Sequence, residues 1–291
     1  MFSYLRSGLL LAAVMLSTAC TKVGLFVANV PAGFGSTKIF EDVVFDEKHD
    51  LTLDIFVPDG LTDPAPVIVF YYGGRWTDGD KAQYHFVADS FVNEGYIVII
   101  PDYRKYPNVK FPAFADDTAK ALAWVYENAQ VYNADQDNIF VAGHSSGAHL
   151  AALVATDPDY LGAYDLDRNI IRGFAGLSGP YAFEPEAEDL KDMFGPPERY
   201  PLMRAPNFVD GQQPPMLLIH GLDDKTVVLE NAEELRDAID EKGGEVTLVT
   251  YKDIDHVETV GSFMWFWRYK SDIRDKLLYF FNEQKAEAAN E

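Results

Sequence analysis

The run Asn138-Ile139-Phe140-Val141-Ala142 leads straight into Gly143-His144-Ser145-Ser146-Gly147 and then into Ala148-His149-Leu150-Ala151-Ala152-Leu153-Val154. A short apolar run, a serine flanked by glycines and a second apolar run read as strand, sharp turn and helix. That turn constrains the chain strongly, because it lifts the Ser145 hydroxyl above the end of a sheet. Gly and Ser are common, so the pentapeptide alone is a weak signal. A serine that only caps the following helix would look similar over these few residues. The reading therefore rests on what the rest of the chain supplies.

Two runs at residues 39–45 and 51–57 read as an antiparallel pair, closed by Pro58-Asp59-Gly60. Residues 66–72 form a continuous apolar strand broken by Gly73-Gly74, and 96–100 is the next such strand. Apolar residues at helical spacing predict helices over 81–93, 114–130 and 229–242, the last ended by Gly243-Gly244. Further strands fall at 139–142, 170–177, 216–220 and 246–251, and a last helix at 263–281. Residues 180–208 hold six prolines and many aromatics and read as an irregular insert facing the substrate. Strands alternating with helices predict an α/β fold, a mostly parallel central sheet with helices on both faces. No repeat or second domain is visible, so residues 38–282 read as one domain and 283–291 as a polar tail.

The N-terminal residues carry a different signal. Arg6 precedes a wholly apolar run at residues 9–16, followed by Ser17-Thr18-Ala19-Cys20. The run is short for a membrane span and has the form of a signal peptide over 1–19. Small residues before Cys20 point to a lipoprotein signal with Cys20 as the lipidated residue, although Ser17 stands where leucine is usual. An ordinary cleaved secretory signal is the alternative. The expectation is an exported protein, periplasmic or attached to the outer membrane through Cys20, or else secreted, with 20–37 as a lead-in. A single cysteine excludes an intrachain disulfide and a cysteine-rich metal site. A formal charge of −22 argues against nucleic acid as a partner. Composition leaves the oligomeric state open.

Ser145 needs a base to take its proton. His256 lies in Tyr251-Lys252-Asp253-Ile254-Asp255-His256, read as a loop after the last strand. Asp224 follows His220-Gly221-Leu222-Asp223 just beyond a strand, with Asp223 as its adjacent rival. Serine, acid and histidine then occur in the hydrolase order. The turn Tyr72-Gly73-Gly74-Arg75-Trp76 follows the first central strand, where amides can approach a carbonyl oxygen. The amides of Gly74, Arg75 and Ser146 are the expected oxyanion donors, and Trp76 and His144 the candidate pocket residues. The acidic pairs Asp116-Asp117 and Asp253-Asp255 read as solvated loops or caps. The chemistry these residues suit is acyl transfer to Ser145 from a small-molecule ester, with no cofactor and no metal required.

Together these segments resemble the alpha/beta-hydrolase superfamily over residues 40–281. Within it they look like the carboxylesterase branch that includes hormone-sensitive-lipase-like and kynurenine-formamidase-like enzymes. The resemblance rests on Gly143-His144-Ser145-Ser146-Gly147-Ala148-His149, on Asp102-Tyr103-Arg104 with the later Phe111-Pro112-Ala113, and on His220-Gly221-Leu222-Asp223-Asp224-Lys225-Thr226-Val227. It implies Asp224 rather than Asp223 as the acid and His256 as the base. The branch carries a histidine where this chain has Tyr72. The resemblance implies a carboxylic-ester hydrolase for short acyl or acetyl esters. A small-amide hydrolase of the arylformamidase type, a polysaccharide deacetylase and a non-catalytic binding module on the same fold are the alternatives.

Overall fold

The computed structural model describes Asn29 and residues 37–288. Cys20, the apolar run before it and nearly all of the 20–37 lead-in lie outside the described residues.

The chain opens with β1 (Thr37–Asp46) and β2 (Leu51–Pro58), followed by β3 (Ala65–Tyr71), α1 (His85–Val92) and β4 (Ile97–Pro101). Next come α2 (Ala113–Asn128), β5 (Ala134–His144), α3 (Ser146–Thr156), α4 (Pro158–Gly162) and β6 (Ile171–Leu177). The remainder is α5 (Glu188–Phe194), β7 (Met216–Gly221), α6 (Glu230–Glu241), β8 (Val246–Tyr251), α7 (His256–Gly261) and α8 (Ile273–Ala288). The strands form one eight-stranded sheet in the order β1-β2-β4-β3-β5-β6-β7-β8. β1 and β2 pair antiparallel, as do β2 and β4, and every pairing from β4 to β8 is parallel. This is the mostly parallel α/β-hydrolase arrangement expected from the sequence.

The central strands are apolar throughout because both faces are covered. Val67, Ile68, Val69 and Phe70 of β3 and Ile139, Phe140 and Val141 of β5 are fully buried. All residues of α3 are buried, between the sheet and α2. The serine turn therefore sits on the most deeply packed strand–helix unit of the molecule. A parallel sheet brings the strand ends that precede helices to one edge, and the loops after β3, β5, β7 and β8 meet there.

Four details differ from the sequence reading. The helix expected over 81–93 begins as a 3₁₀ turn, Lys81–Tyr84, capped by Asp80, before α1 proper. The last helix is not continuous from 263. A capping box of Asp255 and Glu258 starts α7 earlier, Phe263 turns inward to pack on Phe91 at 5.3 Å, and α8 begins only at Ile273. The polar 283–291 segment continues α8 to Ala288, held by a buried Gln284 that donates to Glu245 Oε1 at 3.2 Å. Within 180–208, prolines interrupt but do not abolish structure: α5 buries Met193 and Phe194, and two 3₁₀ turns bury Met203 and Ala205.

Candidate active site

Ser145 occupies the turn between β5 and α3 with φ 53° and ψ −124°, outside the regions a non-glycine residue ordinarily prefers. The surroundings hold it there. Its amide donates to Leu177 O at the end of β6, 2.9 Å away. Behind it, Gly147 lies so close to β3 that a Cβ would meet Tyr71 O at 2.1 Å. Only glycine lets the helix start against the neighbouring strand, and that contact aims the serine side chain outward.

The acid comes from the loop after β7. The Asp224 amide donates to Gly221 O, and its Oδ1 accepts from the amides of Thr226 at 2.8 Å and Val227 at 2.9 Å. Its Oδ2 lies 2.7 Å from His256 Nδ1. Burial pushes this carboxyl up, but hydrogen bonds from His256 and the loop amides outweigh burial and hold it down to about 2. As a carboxylate it can only accept, so Nδ1 carries the proton and Nε2 presents its lone pair. Nε2 lies 2.9 Å from Ser145 Oγ. Asp223, the rival, is exposed.

His256 is the first residue of α7 rather than a loop residue. The Asp255 side chain accepts from the amides of Val257 and Glu258, and Glu258 accepts in return from the Asp255 amide. This reciprocal cap fixes the direction from which His256 enters the site.

His144, expected in the pocket, does not line it. It is buried behind His256, donating from Nε2 to His256 O at 2.9 Å, with the two rings 4.9 Å apart. Burial, and then the neighbouring His256 charge, push it down to about 3, so it stays neutral. His220 supports the acid loop by donating to Val227 O at 3.0 Å. His149 donates to Met203 O at 2.7 Å and ties α3 to the proline-rich insert.

Facing Ser145 is the turn after β3. Gly74 has φ 147°, and a Cβ there would meet Asp78 O at 2.1 Å. Thr77 and Asp78 donate back to Gly74 O, while Arg75 and Trp76 adopt φ 55° and 60°. No hydrogen bond from the amides of Gly74, Arg75 or Ser146 is found among the described residues. Tyr72 sits where the resemblance expects histidine. Its ring stacks between Tyr84 and Tyr103, and its hydroxyl donates to Asp102. Tyr103 in turn donates to Tyr72 O at 3.0 Å. The tyrosine braces the turn from beneath and leaves its amides free.

A cavity of about 230 Å³ opens beside Ser145, lined by Trp76, Phe183, Leu190, Val227, Val228 and Asn231 among others. Trp76 is buried, stacked on Phe183 at 5.4 Å and edge-on to Phe194 at 4.9 Å. Asn231 accepts from the Ala182 amide at 3.0 Å and joins α6 to the insert. Composition and spacing did not single out Asn231, Leu190 or the Tyr72–Asp102 pair. The Asp102-Tyr103-Arg104 motif was the available signal for the pair.

The carboxylate pairs divide. Asp255 is a cap, as read, but Asp117 is buried and accepts from Arg104 Nε and Nη2 at 2.8 and 2.7 Å. Asp117 also belongs, with Asp46 and His49, to a group whose ligand atoms lie within 4.8 Å of one another. Lys120 lies 2.8 Å from Asp46, so Arg104 and Lys120 already neutralise this cluster.

Comparison with known proteins agrees with this geometry. Residues 53–174 match the BD-FAE family model. A probable isoprenylcysteine alpha-carbonyl methylesterase of Oryza sativa subsp. japonica is 24% identical, with 87% of this chain aligned to 64% of that protein. The chain spans between 52% and 64% of the length of the plant methylesterases it matches. A carbohydrate esterase from gut microbiota superposes with a TM-score of 0.74 at 22% identity, over 86% of this chain and 96% of that one. Butyrate-bound esterase 2 of Thermogutta terrifontis superposes with a TM-score of 0.72 at 22% identity, over 85% of this chain and 94% of that one. With its sheet order, strained serine turn and aligned serine, histidine and aspartate, and with its likeness to these solved structures, the chain has the alpha/beta-hydrolase fold.

Proposed function

We propose that the protein is a serine carboxylic-ester hydrolase for short acyl esters, working through an acyl-enzyme. The observation that carries this reading is the unbroken relay Asp224–His256–Ser145, with contacts of 2.7 and 2.9 Å. His256 Nε2 takes the Ser145 proton as Oγ attacks the ester carbonyl. Asp224 stabilises the imidazolium and holds its tautomer. The amides of Gly74, Arg75 and Ser146 receive the oxyanion. His256 then protonates the departing alcohol, and water activated by the same nitrogen releases the acid.

The cavity supports a short acyl group. At about 230 Å³ it falls below the size of drug-like ligand sites. Its walls are mostly apolar, and the butyrate bound to the similarly folded esterase is a group of the same class. Acetyl groups on carbohydrate are a second reading, supported by the likeness to the gut carbohydrate esterase. The hormone-sensitive-lipase-like and kynurenine-formamidase-like branch remains our finer placement, carried by the motifs around Ser145 and Asp224. Export with a lipid on Cys20 is part of the proposal, supported by the apolar run before that cysteine. Intact-mass measurement of membrane-extracted protein tests it, and an unmodified Cys20 rejects it.

The activity test is turnover of p-nitrophenyl esters from acetate to laurate, of N-formyl-kynurenine and of acetylated xylan, with Ser145→Ala alongside. Turnover that peaks at short acyl chains and vanishes in Ser145→Ala is expected. Dominant formamide turnover selects the small-amide reading, and no Ser145-dependent turnover rejects the enzyme reading.

A further inference from the structure

Two parts of the cavity wall come from segments distant in sequence and meet through charge. Trp76 belongs to the turn after β3, and Leu190 belongs to α5 in the insert. Arg75, next to Trp76, reaches out and forms a two-pronged ion pair with Asp189, next to Leu190. Both side chains are nearly half exposed, 49% and 43%, so solvent and salt reach the pair.

The other end of α5 is held differently. Met193 and Phe194 are fully buried, Phe194 packs on Trp76, Phe111 and Phe114, and the Phe111 amide donates to Met193 O at 3.0 Å. Asp192 accepts from Tyr106 at 3.0 Å and from Lys110 at 2.6 Å, away from the cavity lining. The helix is thus anchored at its C-terminal end by core packing. Its N-terminal end, which carries the wall residue Leu190, is tied to the turn after β3 by one exposed ion pair.

We propose that Asp189 is a specificity-determining residue: through Arg75 it latches the N-terminal end of α5 over the cavity and sets the longest acyl group that Ser145 accepts. The inference rests on the esterase reading and names how that site limits its substrate. With the latch closed, Leu190 and Trp76 both wall the cavity and the cavity is short. With it open, the first turn of α5 can swing on its buried C-terminal anchor and lengthen the cavity, leaving Ser145, His256 and Asp224 in place. Salt weakens an exposed ion pair, so ionic strength should act on acyl-length preference rather than on the chemical step.

The test compares the parent, Asp189→Asn and Asp192→Asn on p-nitrophenyl acetate and p-nitrophenyl octanoate, at low salt and at about 0.5 M NaCl, an ionic strength that shortens charge screening to a few ångströms. In Asp189→Asn, kcat/KM for octanoate should rise about three- to fivefold, the scale of one exposed ion pair, with acetate kcat unchanged. Salt should raise the parent's octanoate-to-acetate ratio and leave that of Asp189→Asn flat. Asp192→Asn, an equal charge change on the same helix, should keep the parent's ratio. Equal ratios in the parent and Asp189→Asn, or the same shift in both variants, would overturn the latch. A parent that turns over neither ester fails the esterase reading and removes the latch with it, whereas a parent active on acetate isolates the latch as the point under test.

Discussion

The β5–α3 turn and the proline-rich insert border the same cavity and are held by opposite means. The turn is fixed by backbone: a buried strand and helix, an amide bond from Ser145 to Leu177, and a glycine pressed against Tyr71. The insert is fixed mostly through side chains: aromatic packing around Phe194, buried bonds of His149 and Asn231 to its backbone, and exposed ion pairs such as Arg75–Asp189. Buried backbone geometry tolerates almost no change, whereas surface ion pairs contribute little each and can be exchanged. The attack on a carbonyl is therefore built into the rigid region, and the choice of carbonyl into the adaptable one.

The largest effects should come from the rigid region. Ser145→Ala or His256→Ala should lower kcat by roughly 10⁴ or more, and Asp224→Asn by a comparable factor because it changes the imidazole tautomer. Asp223→Asn should stay near the parent in the same assay. Gly147→Ala forces a methyl onto Tyr71 O and should cost about 1–3 kcal/mol or more of stability, measured by denaturant unfolding. If Gly147→Ala unfolds like the parent, the turn is not rigid and the contrast fails.

Buried histidines give the next effect, on pH. His144 and His149 are held down to about 3 and about 4, mainly by burial, while the unfolded chain binds their protons near 6.5. A folded state that refuses protons the unfolded state accepts loses stability as pH falls. Stability should thus be full above about 6.5 and decline progressively below it, by at most about 1.4 kcal/mol per pH unit per histidine. Denaturant midpoints from pH 7.5 to 5 measure this, and His149→Gln should flatten the slope. Asp224 acts in a lower window. Its contribution is present above about 3.8 and is lost as pH falls through about 2.

Smaller effects should come from the braces. Tyr72→Phe removes the hydroxyl that Asp102 accepts from, and should cost about 1–2 kcal/mol of stability. With the turn amides retained, the Ser145 reaction should survive with only a several-fold fall in kcat. A loss as large as that of Asp224→Asn would mean that Tyr72 takes part directly in the chemistry.

The same contrast explains what could be read from the sequence. The central strands were legible because buried parallel strands write themselves as unbroken apolar runs, and the antiparallel β1–β2 pair because Pro58-Asp59-Gly60 punctuates it. Ser145 and His256 were legible because the local turn and chain order mark them, whereas the choice of Asp224 over the adjacent Asp223 came from the resemblance. His144 was misplaced because a histidine beside a nucleophile can face the cavity or the core, and only the position of α7 decides. The start of α7 was missed because its capping box lies next to the apolar run 263–267, whose packing breaks the helix that its hydrophobicity suggests. The Arg75–Asp189 pair was not legible: it joins residues 114 positions apart, Asp189 belongs to no motif, and the turn that holds Arg75 marks its amide rather than its side chain.

The most direct measurement of the central claim is peptide mass mapping after reaction with a fluorophosphonate probe that traps an activated serine. The account predicts one adduct per chain, on the peptide holding Ser145, formed rapidly in the parent and at least a hundredfold more slowly, as an order-of-magnitude estimate for loss of the activating base, in His256→Ala. Adduct on another residue, no adduct, or equal labelling of the parent and His256→Ala would contradict it.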